Sequence, residues 1–436
     1  MKLLAPLILL LAQPVVAATI AVIDSGMDPQ HEMIVPNLWT NEKPQFSGRY
    51  KNVQHGWNFV NNNNQVIDTS FLPLFADEKL RKFYEIQGKS FLFSTTPEER
   101  EWAREQLKDP LFKKLANSFG TFIHGTHVAG ISVAGSENKA MGITLLRTSL
   151  SADFKNTPKS EPTDIWPAVE AFIEQAAVRQ VQGMKEIALF IHNHGADIAN
   201  CSFGTGKSQA MNYADVVFDL LFKRKPTTEE KNRTAKLFLD AIVKHGKSYV
   251  VLAPKTLFVF AAGNDSLNND EVGFSPANIK ADNTISVAAT YKDEFFAPFS
   301  NWGTGTVDLA APGLYIRSAI PGGGTLPVSG TSQAAPFVSN IAGQMKDANP
   351  ALTPAQIKEI LMATVDKKEF LKIRVKSGGM VNGLRAIAAA EHSNLLSIKE
   401  SIEMAQVQVS DAVYPKSKLI PDLANISVLP MPSEWE

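Results

Sequence analysis

The distribution of apolar side chains along the chain predicts alternating strands and helices. Residues 19–23 form a continuous apolar run that ends at Asp24, which is typical of a strand buried on both faces. Similar runs occupy residues 198–203, 256–262 and 284–289. Between them, residues 167–182 and 227–245 have apolar positions at helical spacing, and Gly246 is expected to end the second helix. This order predicts an α/β fold with a parallel sheet covered by helices on both faces.

Three segments are additions to this plan. Residues 69–120 are rich in charged and aromatic side chains, and Thr96, Pro97 and Glu99 match the pattern that starts a helix. We expect a helical insertion here, broken near Asp109. The other additions are a second insertion within residues 206–255 and a C-terminal extension at residues 392–436, which begins with a helix near residues 395–407.

The amino-terminal segment has the pattern of a secretory signal peptide. Lys2 precedes an apolar run over residues 3–12, and small residues follow at Ala17 and Ala18. A membrane span needs roughly 20 apolar residues, and neither this run nor any later one has that length. We therefore expect residues 1–18 to be a signal peptide, no membrane span, and an exported protein that is extracellular or periplasmic.

Composition narrows the class further. A chain of 436 residues fits one large domain with insertions or two domains. The 43 basic and 44 acidic residues give a net charge of -1, which argues against a basic face that holds nucleic acid. Because Cys201 is the only cysteine, an intrachain disulfide and a cysteine-rich zinc site are both excluded. We expect Cys201 to be a small buried strand residue.

Three polar clusters contain the residue types of a nucleophilic hydrolase. Asp24 ends a predicted strand, His124 begins the small-residue segment His-Gly-Thr-His at the expected start of a helix, and Ser332 follows Gly-Thr at the start of another helix. An imidazole can take the proton of a serine hydroxyl, while a carboxylate fixes the imidazole tautomer and stabilises the imidazolium.

With their neighbours, these clusters make the sequence resemble the subtilisin-like serine peptidases (subtilases). Asp, His and Ser occur in the order found in subtilisin, which differs from the order in chymotrypsin and in α/β-hydrolases. The resemblance covers residues 19–391 with interruptions. It implies a three-layer α/β/α peptidase domain with a mostly parallel seven-stranded sheet, in which Ser332 is the nucleophile, His124 the general base and acid, and Asp24 its orienting partner.

The resemblance also implies an oxyanion hole and a substrate-binding strand. Asn264, after a strand ending in Ala-Ala-Gly, matches the family's oxyanion-hole asparagine, with the backbone N–H of Ser332 as the second donor. Phe203 and Phe274 point to an apolar or narrowed specificity pocket, whereas Asp265 could favour a basic side chain, and the sequence leaves both open. The implied substrate-binding residues are Ser202, Phe203, Gly204, Ala261, Ala262 and Gly263.

Two features depart from the family pattern. Gln333 stands where methionine usually follows the serine, and a buried amide there costs stability unless it finds partners. Asp24 and His124 are 100 residues apart, and the insertion at residues 69–120 accounts for the spacing. Because that insertion leads into His124, it either forms a lid or rim over the substrate cleft or is a decoration packed elsewhere.

No metal site or cofactor is assigned. Met33 occupies a position where family members often have a calcium-binding aspartate, and a thioether does not suit a hard cation. Calcium stays open without a ligand set. His127 is expected to pack inside its helix, and a strand containing His192 and His194 would supply only two ligands.

The sequence thus predicts a secreted, monomeric serine endopeptidase that acts on polypeptides through an acyl-enzyme. One alternative is a narrow processing peptidase or transpeptidase, which the long insertions favour. The other, from a different class, is a catalytically silent binding protein that keeps the fold.

Overall fold

A computed structural model describes residues 17–44, 48–145 and 164–415. Most of the predicted signal peptide and the end of the C-terminal extension lie outside these residues. The strands are β1 Thr19–Asp24, β2 Gly56–Asn58, β3 Lys139–Thr144, β4 Ile198–Cys201, β5 Leu257–Ala261, β6 Thr284–Tyr291, β7 Phe295–Phe296, β8 Leu309–Pro312, β9 Ile316–Ala319, β10 Thr325–Val328, β11 Asp366–Lys367 and β12 Gly379–Met380. The helices are α1 Glu78–Phe91, α2 Pro97–Lys108, α3 Pro110–Val133, α4 Trp166–Asn193, α5 Lys207–Phe222, α6 Thr228–Val250, α7 Thr331–Ala348, α8 Pro354–Ala363, α9 Gly383–His392 and α10 Ile398–Gln408.

The main sheet is mostly parallel and forms the middle layer of a three-layer α/β/α fold. Seven parallel strands run in the order β2-β3-β1-β4-β5-β6-β8. Three strands of two residues each extend it to ten: β12 pairs with β8, β11 pairs with β12, and β7 pairs with β6. A separate antiparallel hairpin consists of β9 and β10. The predicted fold class is confirmed.

Both faces of the sheet are buried, which explains the unbroken apolar runs. In β1, Ile20 and Val22 pack in a cluster with residues of α3 and α7, while Ala21 and Ile23 pack in a cluster with residues of α4 and α6. Successive side chains of a strand point to opposite faces, so a sheet with helices on both sides needs apolar residues at every position.

Two helices run beyond the ends that the sequence predicted. α4 continues to Asn193, so His192 and His194 lie at the end of a helix, and their placement on a strand was wrong. α6 passes through Gly246, where a Cβ would lie 2.2 Å from Ile279 Cδ1. The glycine is needed for close packing against Ile279, and it does not end the helix.

The segment at residues 69–120 is helical and packs as a unit. α1, α2 and the first half of α3 share an aromatic cluster that also contains Leu326 of β10. Helix α3 begins at Pro110, after Asp109, whose side chain accepts from the backbone N–H of Leu111. Phe112, Ala116 and Phe119 extend its buried face toward the amino terminus. His124 therefore lies within a long helix, and its predicted position at a helix start was wrong.

The range predicted to hold the second insertion, residues 206–255, contains α5 and α6. Phe218 and Phe222 of α5 pack against Phe238 and Ile242 of α6, together with Ile173 of α4. None of the helices among residues 17–44, 48–145 and 164–415 has the length and apolar character needed to cross a membrane.

Arg385 in α9 fixes the C-terminal extension to the domain. Its Nη1 donates to Asp366 Oδ1 at 3.0 Å, its Nη2 to Asp411 Oδ1 at 2.8 Å, and its Nε to the carbonyl of Val409 at 2.9 Å. The side chains of Arg385 and Asp366 are only 8% and 0% exposed. The ion pair is therefore shielded from water.

We expect Arg385→Ala to lower the free energy of unfolding by about 3–5 kcal/mol, because it leaves the buried carboxylate of Asp366 without its cation. Urea unfolding of the purified protein measures the change. Lys399→Ala is the matched control, since the ion pair of Lys399 with Glu403 is exposed and such pairs contribute about 0–1 kcal/mol. Equal stability of the Arg385 variant and the wild type would contradict the expectation.

Candidate active site

Asp24 and His124 form a short, largely buried hydrogen bond at the carboxyl end of β1. Asp24 is 1% exposed, and its Oδ1 accepts from His124 Nδ1 at 2.7 Å and from the backbone N–H of Ser25 at 2.7 Å. Asp24 Oδ2 is buried and has no hydrogen-bond partner among the described residues. Since His124 donates through Nδ1, its Nε2 is free to accept a proton.

Small residues allow α3 to approach the loop after β1. A Cβ on Gly125 would lie 2.2 Å from the carbonyl oxygen of Gly26, so only glycine fits this contact. The backbone N–H of Gly125 also donates to Ser25 Oγ at 3.1 Å. This contact positions His124 beside Asp24.

The environment of His124 favours its protonated form. Burial opposes the charged imidazolium, but the negative charge of Asp24 and its hydrogen bond outweigh this and raise the pKa of His124. The carboxylate therefore both selects the tautomer and stabilises the cation that forms when the imidazole takes a proton.

Ser332 is the second residue of α7 and is tied to the segment after β4. Its Oγ donates to the carbonyl of Ser202 at 3.1 Å, and Ser202 Oγ donates to the carbonyl of Ser332 at 2.8 Å. The hydroxyl thus faces a backbone carbonyl in this structure.

Asn264 directs its amide N–H groups toward the space in front of Ser332. Its Oδ1 accepts from both the backbone N–H and the hydroxyl of Thr331, each at 2.9 Å, which fixes the orientation of the amide. A Cβ on Gly330 would lie 3.6 Å from Asn264 Nδ2 and 3.5 Å from the backbone nitrogen of Ser332. The two donors therefore border one small space, as an oxyanion hole requires.

A cavity of about 640 Å³ brings most of the predicted site residues together. Ala261, Ala262 and Gly263 do not line it; Ala262 is fully buried, and Gly263 donates its backbone N–H to Thr331 Oγ1 at 3.1 Å. Asp24 reaches the cavity only through His124. The predicted site residues that line the cavity are His124, Ser332, Asn264, Ser202, Phe203 and Gly204.

The helical insertion forms part of the wall of this cavity. Tyr84 and Gln87 of α1 and Asn117, Gly120 and Thr121 of α3 line it opposite the β4 segment. Sequence reasoning did not single out these residues. The helical spacing of apolar residues from Phe112 into the His124 segment was the signal that could have found them, because it makes α3 continuous.

Gln333 has a partner for only one end of its amide. It is 1% exposed, and its Nε2 lies 3.5 Å from His127 Nδ1, whereas Oε1 is buried without a partner among the described residues. His127 donates through Nε2 to the carbonyl of Leu326 at 2.9 Å, and burial lowers its pKa to about 3, so it is neutral. His127 therefore supports the helix packing and supplies no charge.

The sequence left calcium open near Met33 without a ligand set. Met33 packs against the apolar core, and the two oxygens of Asp28 accept backbone N–H groups of Gln30 and Gly322. The described part of the chain contains no group of three or more His, Cys, Asp or Glu residues arranged to hold a metal ion.

Cys201 is fully buried in β4, and burial raises its pKa, which keeps it a thiol.

In a comparison with known protein families, residues 17–380 match the model of the subtilase family. Alkaline serine exoprotease A of Vibrio alginolyticus is 30% identical over 190 residues, which cover 44% of this chain and 28% of the relative. Subtilisin-like protease 5 of Arthroderma otae is 35% identical over 231 residues, which cover 52% of this chain and 44% of the relative. The chain therefore spans less than half of the length of either protein.

Two solved structures align with most of the chain. A cold-adapted subtilisin-like serine proteinase has a TM-score of 0.46 and 19% identity, and covers 84% of this chain and 89% of its own. The subtilase cytotoxin SubAB structure has a TM-score of 0.49 and 17% identity, and covers 88% of this chain and 92% of its own.

Proposed function

Because this chain belongs to the subtilase family, we propose that it is an exported serine endopeptidase that cleaves polypeptides through an acyl-enzyme on Ser332. The observation that carries the proposal is the convergence of the Asp24–His124 pair, the Ser332 hydroxyl and the Asn264 amide at one cavity. No residue outside this set is needed for acyl transfer.

The proposed reaction uses these groups in turn. Ser332 Oγ attacks the scissile carbonyl carbon while its proton passes to His124 Nε2, and Asp24 stabilises the resulting imidazolium. The carbonyl oxygen becomes an oxyanion between Asn264 Nδ2 and the backbone N–H of Ser332. When the tetrahedral intermediate collapses, the C–N bond breaks and His124 returns the proton to the leaving amine. A water molecule then attacks the acyl-enzyme, with His124 again as the base, and the acyl group is released from Ser332.

A fluorophosphonate probe and a peptide library test this proposal. The folded protein should incorporate one probe at Ser332, found by mass spectrometry of its peptides, and should cleave internal bonds of unstructured peptides. A folded protein that neither reacts with the probe nor cleaves peptides would overturn the peptidase proposal and favour the silent binding protein.

The wall formed by α1 and α3 favours a second candidate, a peptidase or transpeptidase that processes few substrates. A cavity closed on one side by Tyr84, Asn117 and Thr121 accepts fewer peptide conformations than an open groove. In the peptide library, cleavage of one or a few sequences supports this candidate, while cleavage of most sequences supports a broad endopeptidase. A ligated product in the presence of an added amine identifies a transpeptidase.

Export is part of the proposal and rests on the amino-terminal pattern, and we propose in addition that the protein is a monomer. Ala18 is already 1% exposed, and its backbone N–H donates to Asp347 Oδ1 at 2.6 Å. The folded domain therefore includes Ala18, which favours cleavage after Ala17 over cleavage after Ala18. Amino-terminal sequencing of the exported protein distinguishes the two sites, and its sedimentation gives the oligomeric state.

Asn264→Ala is expected to lower kcat by about 10²–10³-fold with little change in KM, because the lost donor acts on the charge that develops in the transition state; this magnitude is known from subtilisin. Steady-state kinetics on a cleaved peptide measure it. Asn349→Ala is the control, since that buried amide donates to Ser393 Oγ and does not line the cavity. A variant of Asn264 with an unchanged kcat would remove this residue from the oxyanion hole.

A further inference from the structure

The ring of Phe274 lies between two glycines beside the catalytic cavity. A Cβ on Gly204 would lie 2.1 Å from Cε1 of this ring, and a Cβ on Gly263 would lie 2.7 Å from Cε2. Phe274 is only 8% exposed. The ring thus occupies the slot that the missing side chains of these glycines leave open.

The slot is bordered by the two segments that carry the groups proposed to bind the scissile carbonyl. When the scissile carbonyl is bound by Ser332 and Asn264, the Cα attached to it lies one bond away. Gly263 directly precedes Asn264, and Gly204 is two residues beyond Ser202, whose carbonyl contacts Ser332 Oγ. The two glycines therefore border the region into which that side chain would project.

Backbone hydrogen bonds hold the ring in the slot. Two backbone hydrogen bonds join Thr205 to Ser275. The N–H of Thr205 donates to the carbonyl of Ser275 at 2.8 Å, and the N–H of Ser275 donates to the carbonyl of Thr205 at 3.1 Å. The backbone N–H of Phe274 donates to Asn278 Oδ1 at 3.2 Å. These bonds fix the backbone that carries the ring, and the ring itself is buried against both glycines, so making room for a large side chain would be costly.

Asp265 does not offer a cation-binding alternative at this place. A Cβ on Gly206 would lie 2.3 Å from Asp265 Oδ2 and 3.1 Å from the ring of Phe274, so the carboxylate lies against Gly206 beside the ring. Asp265 does not line the cavity. A basic substrate side chain in the cavity would therefore not meet the carboxylate of Asp265 at the cavity surface.

We propose that Phe274 closes the main specificity pocket, so that the enzyme cleaves after residues with small side chains, glycine and alanine. This inference rests on the proposed peptidase function and specifies its substrate class. It decides between the apolar or narrowed pocket and the basic preference that the sequence left open.

Matched peptides that differ only in the residue before the cleaved bond test the inference. For the wild type, kcat/KM should be at least about 100-fold higher with alanine than with leucine or phenylalanine there, since a full pocket excludes the larger groups. Phe274→Ala should raise kcat/KM for the leucine peptide by more than about tenfold. Phe274→Leu keeps most of the buried volume and should give a smaller rise in kcat/KM for the leucine peptide. It replaces the alanine variant in this test if the alanine variant does not fold.

Phe218→Ala is the matched control, because this fully buried ring lies in α5 and packs against α6 without lining the cavity. It should lower stability and leave the ratio of the alanine to the leucine peptide unchanged. Wild-type cleavage after leucine as fast as after alanine, or an unchanged ratio in both Phe274 variants, would overturn the role of Phe274. A lack of both fluorophosphonate labelling and cleavage would instead overturn the peptidase function, and this inference with it.

Discussion

Replacement of Ser332 by alanine is expected to lower kcat for peptide hydrolysis by about a million-fold, the magnitude found for subtilisin when its nucleophile is removed. The acyl-enzyme cannot form without Oγ, and the oxyanion donors alone leave only a small residual rate. The variant should also lose all reaction with a fluorophosphonate. Its fold should persist, because within the described part of the chain Oγ donates only to the carbonyl of Ser202.

Ser339→Ala is the control for this variant. Ser339 lies on the same helix, is fully buried, and donates to Asn200 Oδ1 at 2.9 Å without lining the cavity. This variant should keep its labelling with the fluorophosphonate, measured by intact mass, and its peptide turnover. Equal labelling of the Ser332 variant and the wild type would show that another nucleophile reacts.

The strands of the sheet and the site motifs could be predicted because their signals are local. β1 and β5 are buried on both faces, so nearly every position is apolar and the strand is visible in a single run of sequence. Asp24, His124 and Ser332 each stand beside small residues that the backbone requires, such as Gly125 against the carbonyl of Gly26. The positions of these strands and of the small residues beside the site side chains therefore followed from neighbours in sequence.

Features that depend on contacts between distant segments could not be predicted. α6 continues past Gly246 because Ile279, 33 residues later, occupies the space of a side chain there. The wall at the cavity depends on packing of α1 against β10, more than 200 residues away. The sequence suggested Phe274 only as one of two aromatic residues near the pocket, since nothing local shows that Gly204 and Gly263 enclose it.

Asp24→Asn is expected to lower kcat by about ten-thousand-fold while preserving the fold. Asp24 Oδ1 accepts from His124 Nδ1, so the proton resides on Nδ1 and Nε2 can receive the proton of Ser332. An asparagine that turns its amide N–H toward Nδ1 would move the imidazole proton to Nε2, which could then no longer act as the base. It would also remove the negative charge that stabilises the imidazolium.

The pH dependence of this variant has a definite sign. The general base must be neutral, so activity is present above the pKa of His124 and is lost as the pH falls through it. Because Asp24 raises the pKa of His124, its neutralisation lowers that pKa, and the acid limb of the residual kcat/KM profile should move to lower pH. Asp28→Asn is the control, since Asp28 is also buried but contacts the backbone N–H groups of Gln30 and Gly322. If the acid limb of the Asp24 variant moved to higher pH or stayed in place, His124 would not be the titrating base.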